Sequence, residues 1–202
     1  MTHSLVLHTQ NDMKHIAVFA SGNGTNAENI IRYFQSADNG AEVSLVVCNR
    51  PDAHVLQRAE RLGVPSCVIS RDMLRDQETI MSLMRRYEID FIVLAGFLLM
   101  IPPFLVGQYN RRMLNIHPSL LPKFGGKGMY GDNVHKAVVA AGEAETGITI
   151  HFVSEQYDEG DILFQASTPV EATDTHEDVA RKIHELEQIH FPRVIAGALL
   201  SC

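Results

Sequence analysis

His15-Ile16-Ala17-Val18-Phe19-Ala20-Ser21-Gly22-Asn23-Gly24-Thr25-Asn26 is the stretch on which the fold turns. The run His15–Ala20 is apolar at both odd and even positions. A strand with one wet face would alternate, so this one reads as buried on both sides, the habit of parallel sheets. Two glycines follow, and then Asn26–Phe34 carries apolar residues at helical spacing. Strand, glycine loop and helix in immediate succession is the opening unit of a parallel α/β protein.

The same alternation continues outward. Glu42–Cys48 reads as a strand, Asp52–Leu62 as a helix stopped by Gly63 and Pro65, and Ser66–Ile69 as a short strand. Asp72–Tyr87 reads as one longer helix, with Met73, Ile80, Leu83 and Met84 along its apolar stripe. Strands follow at Asp90–Ala95 and Arg112–Ile116. Beyond a glycine-rich loop (Pro122–Gly131) come a helix near Asp132–Ala141 and two strands, Gly147–Ser154 and Asp161–Val170, joined by a short acidic turn as an antiparallel hairpin. A helix from Thr175 to Leu199 ends the pattern, and Thr175 with Asp178 has the spacing of a capping box. Repeats, low-complexity tracts and internal linkers are lacking. The expected fold is a single-domain, Rossmann-like α/β structure: a mostly parallel sheet with helices on both faces and an antiparallel C-terminal hairpin. Residues 1–13 read as a loose N-terminal extension.

Composition narrows the function classes. The 202 residues carry a net charge of −7, with 46% hydrophobic and 20% charged residues. That balance argues against general nucleic-acid binding, which leaves a basic footprint, but not against one small anionic ligand held by local donors. Cys48, Cys67 and Cys202 are odd in number, far apart and not in metal spacing, so reduced thiols and a cytoplasmic location are expected. No apolar run approaches the roughly 20 residues that span a bilayer. Ten histidines invite a zinc reading, yet none has HExxH or similar ligand spacing, and no metal is expected.

Two segments carry chemistry. In the loop Ser21–Asn26 the glycines let a backbone approach a ligand, and the following helix N-terminus favours an anion. Gly22, Gly24 and Ala27 fit a loose dinucleotide pattern, but the second strand ends in Asn49-Arg50 rather than an acidic residue. Arg50 keeps open a reductase reading in which it meets a 2′-phosphate. The favoured ligand is a monophosphate, with Ser21, Asn23, Thr25 and Asn26 supplying polar side chains. The second segment is Asn115-Ile116-His117-Pro118 at a strand end. Residues two apart on a strand share a face, so Asn115 and His117 point into one site. A neutral amide and a titratable imidazole suit an oxyanion that forms during acyl transfer. A carboxylate from the acidic turn Glu155–Asp161 can orient His117 and raise its pKa; periodicity does not select which one. Thr149 and His151 share a strand face, and His151 reads equally as cleft-lining or as a packed polar residue. His184 and Glu187 share a helix face.

Taken together these segments resemble the glycinamide ribonucleotide formyltransferases, within the folate-dependent formyltransferase superfamily. SGNGTN at 21–26, LAGFLLMIP at 94–102, NIHPSLLPKF at 115–124 and GITIHFVSEQYDEGDIL at 147–163 carry the resemblance, which extends over about residues 14–195. It implies a formyltransferase domain over 14–202. The implied reaction moves a formyl group from 10-formyltetrahydrofolate, as co-substrate, to the amine of N1-(5-phosphoribosyl)glycinamide in purine biosynthesis. It also implies site residues: Asn115, His117 and Asp158 as catalytic; Gly24, Thr25, Asn26 and Glu187 for the ribonucleotide; and Arg71, Leu98, Leu99, Met100, Ile101, Asn115, Ser154 and Asp158 for the folate, with Arg75 competing with Arg71. The implied partners are these small molecules, with no nucleic acid, no membrane and no assigned oligomeric state. Three positions depart from the family pattern: GGKGMYG after Phe124, Leu99 in place of a frequent Arg, and His184 in place of a frequent Gln. The alternative activity is formyltetrahydrofolate deformylase, in which water replaces the amine; members of that group carry an added regulatory domain, for which this chain has no room.

Overall fold

Strand β1 (Lys14–Ala20) has no exposed surface from Ile16 to Phe19. Such a strand can sit only in the middle of a sheet covered on both faces. The computed structural model, which describes residues 13–36 and 40–201, places it there. The expected extension, Met13 apart, and Cys202 lie outside the described residues. The remaining strands are β2 (Ala41–Cys48), β3 (Ser66–Val68), β4 (Phe91–Leu94), β5 (Met113–His117), β6 (Glu145–Phe152) and β7 (Ile162–Pro169). Among the described residues the sheet runs β3-β2-β1-β4-β5-β6-β7. Its first five strands are parallel, β6 is antiparallel to β5, and β7 closes the expected hairpin.

Helices α1 (Thr25–Ser36), α2 (His54–Arg61), α6 (Asp132–Ala140) and α7 (His176–Leu199) cover one face, over Ile16, Val18, Val46, Val93, Leu114 and Ile150. Helices α3 (Arg71–Arg75), α4 (Gln77–Arg86) and α5 (Pro103–Gln108) cover the other, over Ala17, Phe19, Val47, Ile92 and Met113. This second core includes no residue of β6 or β7. Beyond Met113 the same face of β5 carries Asn115 and His117, paired in register with His151 and Thr149 of β6. The polar site therefore begins where the apolar cover ends.

Three local features differ from the sequence expectation or extend it. The helix expected over Asp72–Tyr87 is two helices, broken at Asp76, whose backbone is extended (φ −80°, ψ 107°). The Asp76 carboxylate accepts from the Thr79 hydroxyl, the local competition that makes Asp a better cap than helix interior. Helix α5 was not expected: Pro103 sits at its first position, where a missing N–H costs nothing. The capping box of α7 is present, with Asp178 N–H donating to Thr175 Oγ1 (3.2 Å) and Thr175 N–H to Asp178 Oδ2 (3.0 Å). Among the described residues no helix is long and apolar enough to cross a membrane.

Candidate active site

A cleft of about 630 Å³ opens at the carboxyl ends of β1, β4 and β5. Crossovers leave β1 and β4 in opposite directions along the sheet, and such a switch point leaves a crevice between the loops. One wall is Gly22–Asn26 and the middle of α7; the other is Leu98–Ile101 and Val153–Asp158; Asn115 and His117 form the floor.

The floor is wired through Asp158. His117 Nδ1 lies 3.5 Å from Asp158 Oδ2, and Asn115 Nδ2 donates to Asp158 Oδ1 at 3.5 Å. The choice among turn carboxylates thus falls on Asp158, held at φ 57° with Oδ2 accepting the Gly126 N–H at 2.9 Å. His117 Nε2 is 2.8 Å from the Phe124 carbonyl. A carbonyl only accepts, so Nε2 carries the proton and Nδ1 is the nitrogen left toward Asp158. His151, read two ways from sequence, belongs to this floor: its Nδ1–H donates to the Phe152 carbonyl (2.9 Å), leaving Nε2 to accept from Asn115 Nδ2 at 3.0 Å. A bulge on β7 beside His151 re-aims the pairing at this point. Thr149, on the same face, is spent on the loop after β5: its hydroxyl donates to the Ser119 carbonyl (2.7 Å) and accepts the Leu121 N–H (3.0 Å).

The electrostatics correct one expectation. Burial pushes the His117 imidazole below the usual histidine range, and the opposing pull of Asp158 and the Phe124 carbonyl does not make up the difference. His117 is therefore mostly neutral near pH 7 rather than charged. Asp158 also sits low. Burial alone would raise it, but the His151 imidazole 3.6 Å away, the His117 ring and the Gly126 N–H together outweigh that.

At the other end of the cleft most polar groups of the glycine loop are already committed. The Ser21 hydroxyl donates to Asn49 Oδ1 and accepts the Leu98 N–H (2.8 Å), so it is a buried strut, not the ligand donor expected. Asn23 accepts from Arg58 through its carbonyl (2.7 Å) and its Oδ1 (3.0 Å). Gly24, at φ +77°, packs so closely on α2 that a Cβ would lie 2.5 Å from Val55 Cβ. Its glycine is demanded by packing as much as by any ligand. Asn26 Nδ2 donates to Glu187 Oε2 at 2.9 Å across 161 residues of sequence, and Gln188 Nε2 donates back to Asn26 Oδ1 at 2.9 Å. Arg50, which the reductase reading needs, does not line the cleft and faces Asp52 at 3.5 Å.

The formyl transferase family model matches residues 14–195. The chain belongs to the formyl transferase family. It is 41% identical over 193 residues to a chloroplastic phosphoribosylglycinamide formyltransferase of Arabidopsis thaliana, covering 92% of this chain and 65% of that protein. It is 36% identical over 191 residues to the phosphoribosylglycinamide formyltransferase of Bacillus subtilis (strain 168), covering 93% of this chain and 95% of that one. A crystal structure of glycinamide ribonucleotide transformylase 1 from Geobacillus kaustophilus superposes with a TM-score of 0.84 at 37% identity, over 93% of this chain and 99% of the other. The chain thus spans just under two thirds of the plant relative and nearly all of the bacterial one.

Against the formyl transferase pattern, the structure brings Gly24, Thr25, Asn26, Leu98, Leu99, Met100, Ile101, Asn115, His117, Ser154, Asp158 and Glu187 to one cleft. Arg71 and Arg75 are not among its lining residues; both are exposed on α3. Leu98 and Met100 are about half exposed, an apolar strip suited to a flat ring system. His184 Nδ1 lies 3.5 Å from Glu187 Oε2, which raises its pKa. The sequence reading missed the Phe124 carbonyl and the Gly126 N–H, because backbone groups leave no residue-type signature. It also missed His135 of α6, which lines the cleft while almost wholly buried.

Proposed function

We propose that this chain transfers the formyl group of 10-formyltetrahydrofolate to the amine of N1-(5-phosphoribosyl)glycinamide, a step of purine biosynthesis. The observation that carries the reading is one continuous cleft. It runs from a helix N-terminus fit for a phosphate, past Asn115, His117 and Asp158, to an apolar strip fit for a pterin. The relatives' names support the same substrate.

The chemistry follows from the proton positions. The substrate amine attacks the formyl carbon, and the carbonyl electrons move onto oxygen. Asn115 Nδ2 gives up its long 3.5 Å bond to Asp158 and turns that hydrogen onto the oxyanion, keeping its other hydrogen on His151. The attacking nitrogen must shed a proton, and His117 is neutral with Nδ1 open, so it takes that proton. The imidazolium so formed is held between the Phe124 carbonyl and the Asp158 carboxylate. The same proton then goes to N10 of the folate as the C–N10 bond breaks, which restores His117. The substrate supplies the nucleophile, so no acyl-enzyme forms, and the protein acts by alignment and a fixed polar field.

The test is to incubate the purified protein with 10-formyltetrahydrofolate, with and without the ribonucleotide, and to follow products by mass spectrometry. Formylated ribonucleotide appearing only with both substrates is the expected result. Free formate released without the ribonucleotide would assign a deformylase instead.

A further inference from the structure

The charge of the cleft is out of balance with its proposed ligands. Among the described residues its lining carries three carboxylates, on Glu155, Asp158 and Glu187, and one permanent cation, Lys127. Both proposed ligands are anions, which a lining of net negative charge repels. The first glycine loop offers them backbone N–H groups and a helix dipole, not a full charge. His184 gains charge only as the partner of Glu187, 3.5 Å away.

The lysines around Lys127 are already paired, Lys123 with Glu143 at 2.9 Å and Lys136 with Asp132 at 3.5 Å. Lys127 itself is exposed, and its ammonium makes no ion pair or hydrogen bond to any described residue. It stands between Gly126 and Gly128, both at φ +90°, where a Cβ would meet nothing within 4 Å. No packing fixes the chain at either neighbour, so little opposes a shift of Lys127 toward a ligand.

The two cores decide which anion it meets. Phe124 and Met129, on either side of Lys127, pack on the core that α1, α6 and α7 cover. Leu99, Ile101 and Val153, behind the apolar strip, pack on the other core. Lys127 therefore belongs to the side of the sheet from which α1 starts, the side of the phosphate seat, and not to the pterin wall. Its neighbour Gly126 donates to Asp158 at 2.9 Å, so the main chain of the loop serves the reacting centre while this side chain is left for the ligand.

We infer that Lys127 is a specificity-determining residue for the ribonucleotide: its ammonium closes over the phosphate seated at the start of α1 and supplies the full charge that the first glycine loop lacks. This rests on the activity proposed above.

The test measures kcat and KM for wild type, Lys127→Met, Lys127→Arg and Lys127→Glu, with the ribonucleotide and with its dephosphorylated riboside, at low and high salt. Lys127→Met keeps the stem and removes the charge. It should raise KM for the ribonucleotide about tenfold, the scale of one charge-assisted hydrogen bond, with kcat and KM for the folate little changed. Lys127→Arg should restore most of the loss, and Lys127→Glu should deepen it. On the riboside, wild type and Lys127→Met should share one kcat/KM, since the group that Lys127 meets is gone. Added salt should raise KM for the ribonucleotide more steeply in wild type than in Lys127→Met. Equal losses on ribonucleotide and riboside, or an unmoved KM for the ribonucleotide, would overturn the inference while leaving formyl transfer intact. A rise confined to KM for the folate would overturn it too, and would assign the ammonium to the folate's carboxylates. Absence of transfer by the wild type would overturn the proposed activity and this inference with it.

Discussion

The two glycine-bearing loops of the cleft look alike in sequence and are built on opposite principles. In Ser21–Asn26 the side chains of Ser21, Asn23 and Asn26 are tied to Asn49, Arg58 and Glu187, and Gly24 is wedged against Val55. In Lys123–Gly131 the glycines at 126, 128 and 131 have positive φ, and a Cβ on any of them would meet nothing within 4 Å. At those three positions glycine serves backbone conformation alone, whereas at Gly125 a Cβ would lie 2.6 Å from Leu121 Cδ2. What that loop gives the site is main chain: the Phe124 carbonyl to His117 and the Gly126 N–H to Asp158. The first loop is a rigid seat held by side chains. The second presents backbone groups to the reacting centre.

The largest expected effect lies where the second loop meets the acid. Asp158→Asn keeps the size of the side chain but removes the charge facing His117. We expect a loss of about 10²–10³ in kcat, the scale of one misplaced oxyanion or proton-transfer group, with the fold retained. The pH profile adds a sign. If neutral His117 is the base, activity falls as pH drops through its pKa. Asp158 raises that pKa against the dominant effect of burial. The acidic limb of the pH–rate profile should therefore move to lower pH in Asp158→Asn. A limb that stays in place would remove His117 from the proton path.

Next in size is the contrast between glycines. Gly24→Ala forces a Cβ into Val55 and keeps φ at +77°; Gly128→Ala, at φ +90°, meets only the backbone cost. Overpacking adds about 1–3 kcal/mol to left-handed strain of about 1–2 kcal/mol. Thermal denaturation should show Gly24→Ala several degrees below Gly128→Ala. Equal melting temperatures would mean that α2 yields and that the first loop is no tighter than the second.

This contrast also marks what sequence can convey. Asn115 and His117 were legible because strand geometry fixes which way alternate residues point. The Thr175 and Asp178 box was legible because a cap is a local pattern. The break at Asp76 was not, since apolar spacing runs on across it and the interruption shows only in a backbone turned extended. The upward pull of an acid on the His117 pKa was legible, because acidic residues are visible in sequence; the depth of burial that outweighs it was not, being a property of the packed molecule. His151 remained ambiguous until β5 and β6 were in register.

A smaller effect probes the first loop's outer support. Hydrogen bonds from Arg32 and then Arg58, with Arg61 nearby and burial opposing, hold the Glu28 carboxyl down to about 2. A depressed acid contributes stability above its unfolded pKa and loses it as pH falls toward its folded one. Glu28→Gln should thus lower Tm by a few degrees near neutrality, and the gap from wild type should close between about pH 4.5 and pH 2. A gap independent of pH would point to shape rather than charge.

The smallest effect separates seat from ligand. Gly22 lines the cleft, has no positive φ, and a Cβ on it would meet no protein atom within 4 Å. Gly22→Ala therefore should leave Tm unchanged within about a degree. Gly24 cannot serve here, since any change in its KM would be confounded by the clash with Val55. At Gly22 the added methyl can be felt only by what enters the cleft. A rise of a few fold in KM for the ribonucleotide, with KM for the folate constant, is the outcome that fits a phosphate held by backbone approach at this loop. If both constants stay put, the phosphate lies farther along, at Thr25 and Asn26. If both rise, the methyl has disturbed the Val55 N–H bond to the Gly22 carbonyl, and the first loop is less rigid than its ties to Asn49, Arg58 and Glu187 suggest.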